Sequence, residues 1–297
     1  MPNSFNYADQ FSQFLAQKYS KELVSYDLEN SNPQVQFINA HTIKLPRLTL
    51  SGYKDHTRGG SYNTGTISND WEPKVLAHDR DIEYVIDPMD IDETNLAVSV
   101  ANLQNTFETE HAIPEKDSYR FSKIYSELNT YKAANISSGT PTAANILSLF
   151  DGAMENMDDA GVPQEGRILY VTPFINKLLK TADGIQRQLS IQGGSNAVNR
   201  SVHSIDDVTI KVAPSARMKT AYDFTDGCVA ATGAKQMHFI LIHPSCVVCR
   251  DKYAYIKLFT PGSDSRTADN YIYQNRAYGD LFLLQRKADG AFIFKET

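Results

Sequence analysis

The chain has 297 residues, of which 41% are hydrophobic and 22% charged, with a net charge of −6. That length allows one large domain or two ordinary ones, and the composition is that of a foldable chain with polar surface to spare. An acidic balance without a basic run argues against a protein whose task is gripping phosphates, since that affinity comes from Lys and Arg.

The first element expected is a short amphipathic helix carrying Phe11, Phe14, Leu15 and Tyr19. The stretch up to Lys18 has no apolar export segment, and no run in the chain approaches the ~20 residues of a membrane span. A polar turn at Glu29–Pro33 leads to a strand at Val35–Ile38. Ile43, Leu45, Leu48 and Leu50 then alternate imperfectly, and Pro46 among them marks an edge strand. Ser51–Trp71 reads as a long polar loop containing Arg58-Gly59-Gly60-Ser61 and Asn63-Thr64-Gly65. A loop of that length is functional or disordered. Ile82, Tyr84 and Ile86 alternate with acids, and the two strand regions flanking the polar loop read as one long hairpin.

Asp90-Ile91-Asp92-Glu93-Thr94 is a helix start, with acids at the positive end of the dipole. Leu96, Val100, Leu103 and Phe107 form one apolar stripe. Phe121, Ile124 or Tyr125, Leu128 and Tyr131 form a second, so a long helix broken near Ile113-Pro114 is expected. Beyond Ala133, Thr140-Pro141 predicts a capped helix start, Ile146, Phe150, Ala153 and Met157 its buried stripe, and Gly161 its end. Ile168–Val171 is a buried strand. Thr172-Pro173 caps the next helix, with Phe174-Leu178 and Ile175-Leu179 as its apolar pairs. Val208–Val212 and Phe239–Ile242 are further strands, making residues 133–250 a self-sufficient α/β core. The tail reads β: Tyr253–Phe259, Tyr271–Leu284, a turn at Ala288-Asp289-Gly290, and Phe292–Phe294. About the first ninety residues read as unable to fold alone, which describes a subunit completed by its neighbours.

Motifs for chemistry are sparse. Cys246 and Cys249 have CxxC spacing with His243 nearby, but a structural zinc needs four ligands and no second pair exists. Buried thiols packed as small apolar groups are the simpler reading. With Cys228 the cysteines number three, which excludes a disulfide scaffold and fits a reducing, cytosolic origin. The acidic run Asp79, Asp81, Asp87, Asp90, Asp92 and Glu93 reads as a solvated strand face and helix start, or a cation site. It also reads as a patch complementary to Lys54, Arg58 and Arg80 of a neighbour. The seven histidines are scattered, and no HExxH, GxSxG, P-loop or GxGxxG occurs. Tyr253, Tyr255, Tyr271, Tyr273 and Tyr278 serve either base stacking or, with so few accompanying cations, sheet packing. Trp71 reads equally as an interface anchor or as packed on its own domain. No catalytic residue, cofactor or metal is expected.

Arg167-Ile-Leu-Tyr-Val-Thr-Pro-Phe-Ile-Asn-Lys-Leu-Leu-Lys180 resembles the axial-domain strand and helix of siphophage coat proteins. Ile256–Gly262, Ala268–Tyr271 and Tyr278–Phe282 resemble the closing peripheral strands of the same proteins. Asp79-Arg80 and Asp117-Ser-Tyr-Arg-Phe121 add to the likeness. The order of parts is similar to the HK97-like fold of tailed-phage major capsid proteins, an α+β class. That resemblance implies an N-terminal arm over 1–35, an E-loop hairpin region over 36–90, and a spine helix over 91–132. It further implies an axial domain over 133–252 and peripheral strands over 253–297. The implied function is a coat subunit forming hexamers and pentamers of an icosahedral head around double-stranded DNA, bound without sequence specificity. The implied partners are a portal and, because the arm begins near Met1, a separate scaffolding protein. Assembly in the host bacterial cytoplasm, location in the virion and no membrane follow from the same resemblance. Inter-subunit contacts are then expected at Lys54, Arg58, Trp71 and Arg80, and hinges at Gly59, Gly60, Gly65 and Pro114. No residue is assigned to a Lys–Asn crosslink. The rival readings are an encapsulin-like compartment shell, a tail-tube subunit, and a zinc-dependent or hydrolytic enzyme using Cys246, Cys249 and His243.

Overall fold

The computed structural model describes residues 23–29, 42–89, 100–182, 202–263 and 269–297. The helix expected at Phe11–Tyr19, the strand at Val35–Ile38 and the helix start at Asp90–Thr94 lie outside them. In chain order, β1 (Thr42–Leu50), β2 (Ile67–Val75) and β3 (His78–Ile86) precede the helices α1 (Val100–Phe107) and α2 (Ile113–Tyr131). Then come β4 (Ile136–Ser138), α3 (Ile146–Asp159), β5 (Ile168–Val171), α4 (Pro173–Thr181), β6 (Ser204–Ile205) and β7 (Val208–Val212). The short pair β8 (Tyr222–Asp223) and β9 (Val229–Ala230) leads to β10 (Met237–Ile242), β11 (Val247–Phe259), β12 (Tyr271–Leu283) and β13 (Ala291–Lys295).

Among the described residues the main sheet has the order β4-β13-β10-β5-β7-β6. Alternation along its strands sends side chains to two faces. Ile168, Tyr170, Ile240, Ile242 and Ile293 meet Phe121, Ile124 and Leu128 of α2 on one face. Leu169, Val171, Phe239, Leu241 and Phe292 meet α3 and α4 on the other. A strand covered on both faces has no polar side, which is why β5 reads as an uninterrupted apolar run. Two local signals act as expected. Thr172 Oγ1 accepts from the Ile175 N–H at the start of α4, with Pro173 in the first turn. Gly161, at φ +71°, ends α3: its own N–H donates to Asp158 O, and the Val162 N–H donates to Met157 O.

A second sheet has the order β11-β12-β3. Here the structure corrects the sequence reading. The strand holding Ile82 and Tyr84 does not return the hairpin; it pairs with β12. The return strand is β2, whose residues ISNDWEPKV carry no alternation to announce it. The polar loop therefore spans 51–66 rather than 51–71. Pro46 and Pro73 both fit because a two-stranded ribbon leaves its outer edges unpaired. The spine is not broken at Pro114 either. α1 passes through one π turn, Glu108–Ala112, directly into α2, and the dihedrals on both sides of that turn are helical. Pro114, lacking an N–H, has no α-helical bond to give to Glu110 O, and the helix widens just before it: the Ile113 N–H donates to Glu108 O, five residues back. α3 begins at Ile146, not at Thr140, because Asn145 Oδ1 accepts from the Thr142 N–H and closes a turn first. In α4, Ile175 and Leu179 are buried while Phe174 is exposed. The last strand, expected among the peripheral strands, is β13 of the main sheet, between β4 and β10.

Candidate inter-subunit interface

The hairpin β1–β2 has two unlike faces. Its register pairs Pro46 with Trp71, Leu48 with Asn69 and Leu50 with Ile67, and paired residues share a face. Leu48, Leu50, Ile67 and Trp71 are 56, 61, 74 and 50% exposed. An apolar stripe thus runs along one side of the ribbon with no cover from the described residues. The opposite face is anchored. Ile43 and Leu45 pack with Leu76, Tyr278 and Phe282. Lys74 is buried, lies 2.9 Å from Glu72 Oε1 and donates to the Tyr131 hydroxyl at the end of α2. Farther along, Arg286 donates to Leu48 O at 2.8 Å and to Thr49 Oγ1 at 2.5 Å. The ribbon is thereby fixed against its own body while its apolar side stays turned outward. A contiguous exposed apolar stripe of this kind is a candidate interaction surface.

The tip, 51–66, is shaped by its own hydrogen bonds. The Gly60 N–H donates to Thr57 O across a turn in which Gly59 has φ +87°. Asn63 Nδ2 donates to Asp55 O at 2.8 Å, and Lys54 Nζ to Thr64 O at 3.1 Å. Gly65 lies so close to Ser51 that a Cβ there would come within 3.0 Å of its Oγ.

Of the contact candidates, Lys54 and Arg58 sit exposed on this tip and Trp71 lies on the apolar stripe. Arg80 is elsewhere. It bonds Glu115 at 2.6 Å, Phe224 O at 2.5 Å and Gly227 O at 3.4 Å, all within its own chain. Of the acidic run, Asp79 pairs with Arg276 at 2.6 Å. Pro114 follows the π turn, where buried Glu108 accepts from Asn275 Nδ2 at 2.6 Å. Burial raises the Glu108 pKa.

Sequence reasoning missed a polar clasp on α2. Asp117, fully buried, accepts from the Val24 and Ser25 N–H groups, from Ser25 Oγ at 2.7 Å and from Arg217 at 2.9 Å. Arg120, also buried, donates to Ser25 Oγ at 3.0 Å and to Glu29 at 2.6 Å. These bonds tie residues 23–29 to the spine. The stretch Asp117–Phe121 carried part of the family likeness, but its polar residues within an apolar stripe were the signal of the clasp itself.

Cys246 and Cys249 are buried in the main core, and burial pushes their thiols up to about 12 and about 11. His243 has both ring nitrogens occupied, Nδ1 by Ser245 and Nε2 by Glu165 O. Among the described residues no group of three or more His, Cys, Asp or Glu gathers to hold a metal. None of their helices is long and apolar enough to cross a membrane.

No protein-family model and no curated protein matches the chain by sequence. Solved structures do match by shape. A chain of the mature capsid of bacteriophage PhiM1 aligns with a TM-score of 0.63 at 15% identity, over 87% of this chain and 82% of that one. A chain of Mycobacterium phage Che8 aligns at 0.61 and 13% identity, over 86% and 85%. A virus-like particle from Pyrococcus furiosus aligns at 0.51 and 10% identity, over 97% and 99%. The fold of this chain is the HK97-like α+β capsid fold.

Proposed function

We propose that this chain is the major coat subunit of a tailed-phage head, closing with its copies, as hexamers and pentamers, into an icosahedral shell around double-stranded DNA. The observation that carries this reading is the hairpin, held on one face by its own subunit and bare and apolar on the other. Burying a large apolar side chain contributes roughly 1.5–3 kcal/mol. Leu48, Leu50, Ile67 and Trp71 together give each copy one contact of useful strength. A stable contact buries on the order of 1,200–2,000 Å², and a closed shell multiplies it through avidity. The capsid fold supports the same reading.

Six-fold and five-fold rings require the same chain to adopt slightly different shapes. The glycines of the tip, Gly59, Gly60 and Gly65, and the π turn before Pro114 are the proposed points of give. The net charge of −6 suits DNA driven in from outside rather than held by the coat. A separate scaffolding protein and a portal complete the proposed set of partners. The role is structural rather than catalytic.

Electron microscopy of the chain coexpressed with its scaffold tests the proposal. Closed spherical particles are expected, and deletion of 54–69 is expected to leave a soluble subunit that forms none. Rods would make the chain a tail-tube subunit, and DNA-free spheres filled with a cargo protein would make it a compartment shell. Normal shells from the deletion variant would remove the hairpin from assembly.

A further inference from the structure

Between β7 and β10 the chain leaves the main sheet as a flap, residues 219–236, which holds the short pair β8 and β9. The base of the flap is fixed. Lys219 bridges Gln236, and the Met237 N–H donates to Met218 O, with both methionines buried. Beyond that base no residue of the flap is buried. A two-stranded hairpin without a core is marginal by itself, so this one keeps its place through what it rests on.

It rests on β3 and the spine. Arg80 of β3 donates to Phe224 O at 2.5 Å and to Gly227 O at 3.4 Å. The Phe224 ring stands edge-on to His78 and Tyr119, with centres 5.7 and 5.6 Å apart. Ser118 of α2 hydrogen-bonds Tyr222 and Cys228. Asp226 and Gly227, at the flap turn, form one rim of a cavity of about 400 Å³ bounded by β3, β11, β12 and the spine. The turn therefore has open space beneath it rather than packed side chains.

We propose that the flap is a latch between the main sheet and the β11-β12-β3 sheet, engaged in hexamers and released in pentamers. The inference rests on the shell-subunit reading and names a device by which one chain fits both rings. Three observations support it. First, the flap crosses directly from one sheet to the other, so its hold helps to set how they sit together. Second, it is the weaker tie. The spine meets the main sheet through Phe121, Ile124 and Leu128, all fully buried, whereas the flap offers one half-buried ring and polar contacts. Segments with few buried apolar contacts open first. Third, release strands no charge. Arg80 keeps its 2.6 Å bond to Glu115 on the spine, and the carbonyls of Phe224 and Gly227 pass to water. Five copies around an axis meet at a steeper angle than six, so the five-fold ring is the one that departs from the engaged shape.

A disulfide tests the latch. Ser118→Cys sets a second thiol beside Cys228, while Cys246 and Cys249 stay buried in the core. Oxidised as a free subunit, this chain is expected to form the 118–228 disulfide throughout, read by peptide mass spectrometry. Shells assembled first and oxidised afterwards should leave a fixed minority of chains without it. Chains locked before assembly should give at least ten-fold fewer closed shells, restored by a reductant, with a melting temperature no lower than before. Hydrogen exchange on the unmodified chain supplies a second readout. Residues 219–236 are expected to show one exchange population in free subunits and two in shells. Complete cross-linking within shells, a single exchange population there, or normal shells from the locked chain overturns the latch and leaves the shell reading standing. Failure of the unmodified chain to form shells overturns the shell reading, and the latch with it.

Discussion

Asp117 is removed from water and compensated by three donors from residues 24 and 25 and by the guanidinium of Arg217. Removing the charge from one member of such a group leaves the others buried and unpaired, which costs about 3–5 kcal/mol. Asp117→Asn is therefore expected to lower unfolding stability by roughly that amount in urea titrations and to expose residues 23–29 to protease. A loss under 1 kcal/mol with unchanged protection would contradict the clasp.

His78 gives a pH dependence at the same scale. Its ring stacks on Tyr119 at 3.7 Å, and Glu115 Oε1 lies 3.9 Å away. Burial first, then the charges of Arg80, Lys116 and Arg120 against that of Asp251, lower its pKa to about 4. An unfolded histidine takes up its proton near 6.5. Between about pH 6.5 and 4 the unfolded state binds the proton and the folded state does not, so stability falls as pH falls through that window. At about 1.4 kcal/mol per pKa unit the full loss is about 3 kcal/mol. His78→Gln should flatten the decline between pH 7 and 4.5, read from urea midpoints. An equal decline in both proteins would assign the acid sensitivity to other groups.

At the scale of elements, local signals were readable and pairings were not. The Thr172 cap, the Gly161 ending and the double-sided burial of β5 and β10 each depend on a few neighbouring residues, so their patterns survive in the sequence. β2 is a strand because β1 lies beside it, and nothing in Ile67–Val75 states that by itself. The membership of β13 beside β10 depends equally on residues about fifty positions apart. The same holds for the interface. Trp71 stood out by its type, whereas the apolar stripe appeared only once the register put Leu50 opposite Ile67. The cavity between β3, β11, β12, the β8–β9 turn and the spine had no linear signal.

Pro114 shows an element absorbing a local misfit. The expected break is a π turn, and the helix continues. Pro114→Ala supplies an N–H that lets the turn tighten toward α-helix. It is expected to raise the melting temperature by roughly 2–4 °C, the shift that about 1 kcal/mol gives a domain of ~150–250 residues. If the turn is where the spine gives, the same variant should yield fewer closed shells and more open sheets. A raised melting temperature with unchanged shells would leave the turn without a part in assembly.

On the scale of the whole molecule, the described residues form a subunit whose main sheet is covered on both faces and whose hairpin is covered on one. On the proposed shell reading, stability and assembly rest on different residues, and a substitution on the bare stripe should separate them. Sedimentation velocity on the chain with its scaffold, set beside Leu50→Asp/Ile67→Asp, reads that separation directly. The account predicts shell-sized particles from the unmodified chain. The variant should remain a slow-sedimenting species with the same melting temperature. Shells of normal size and yield from the variant, or an unmodified chain that stays a lone subunit at every concentration, would contradict it.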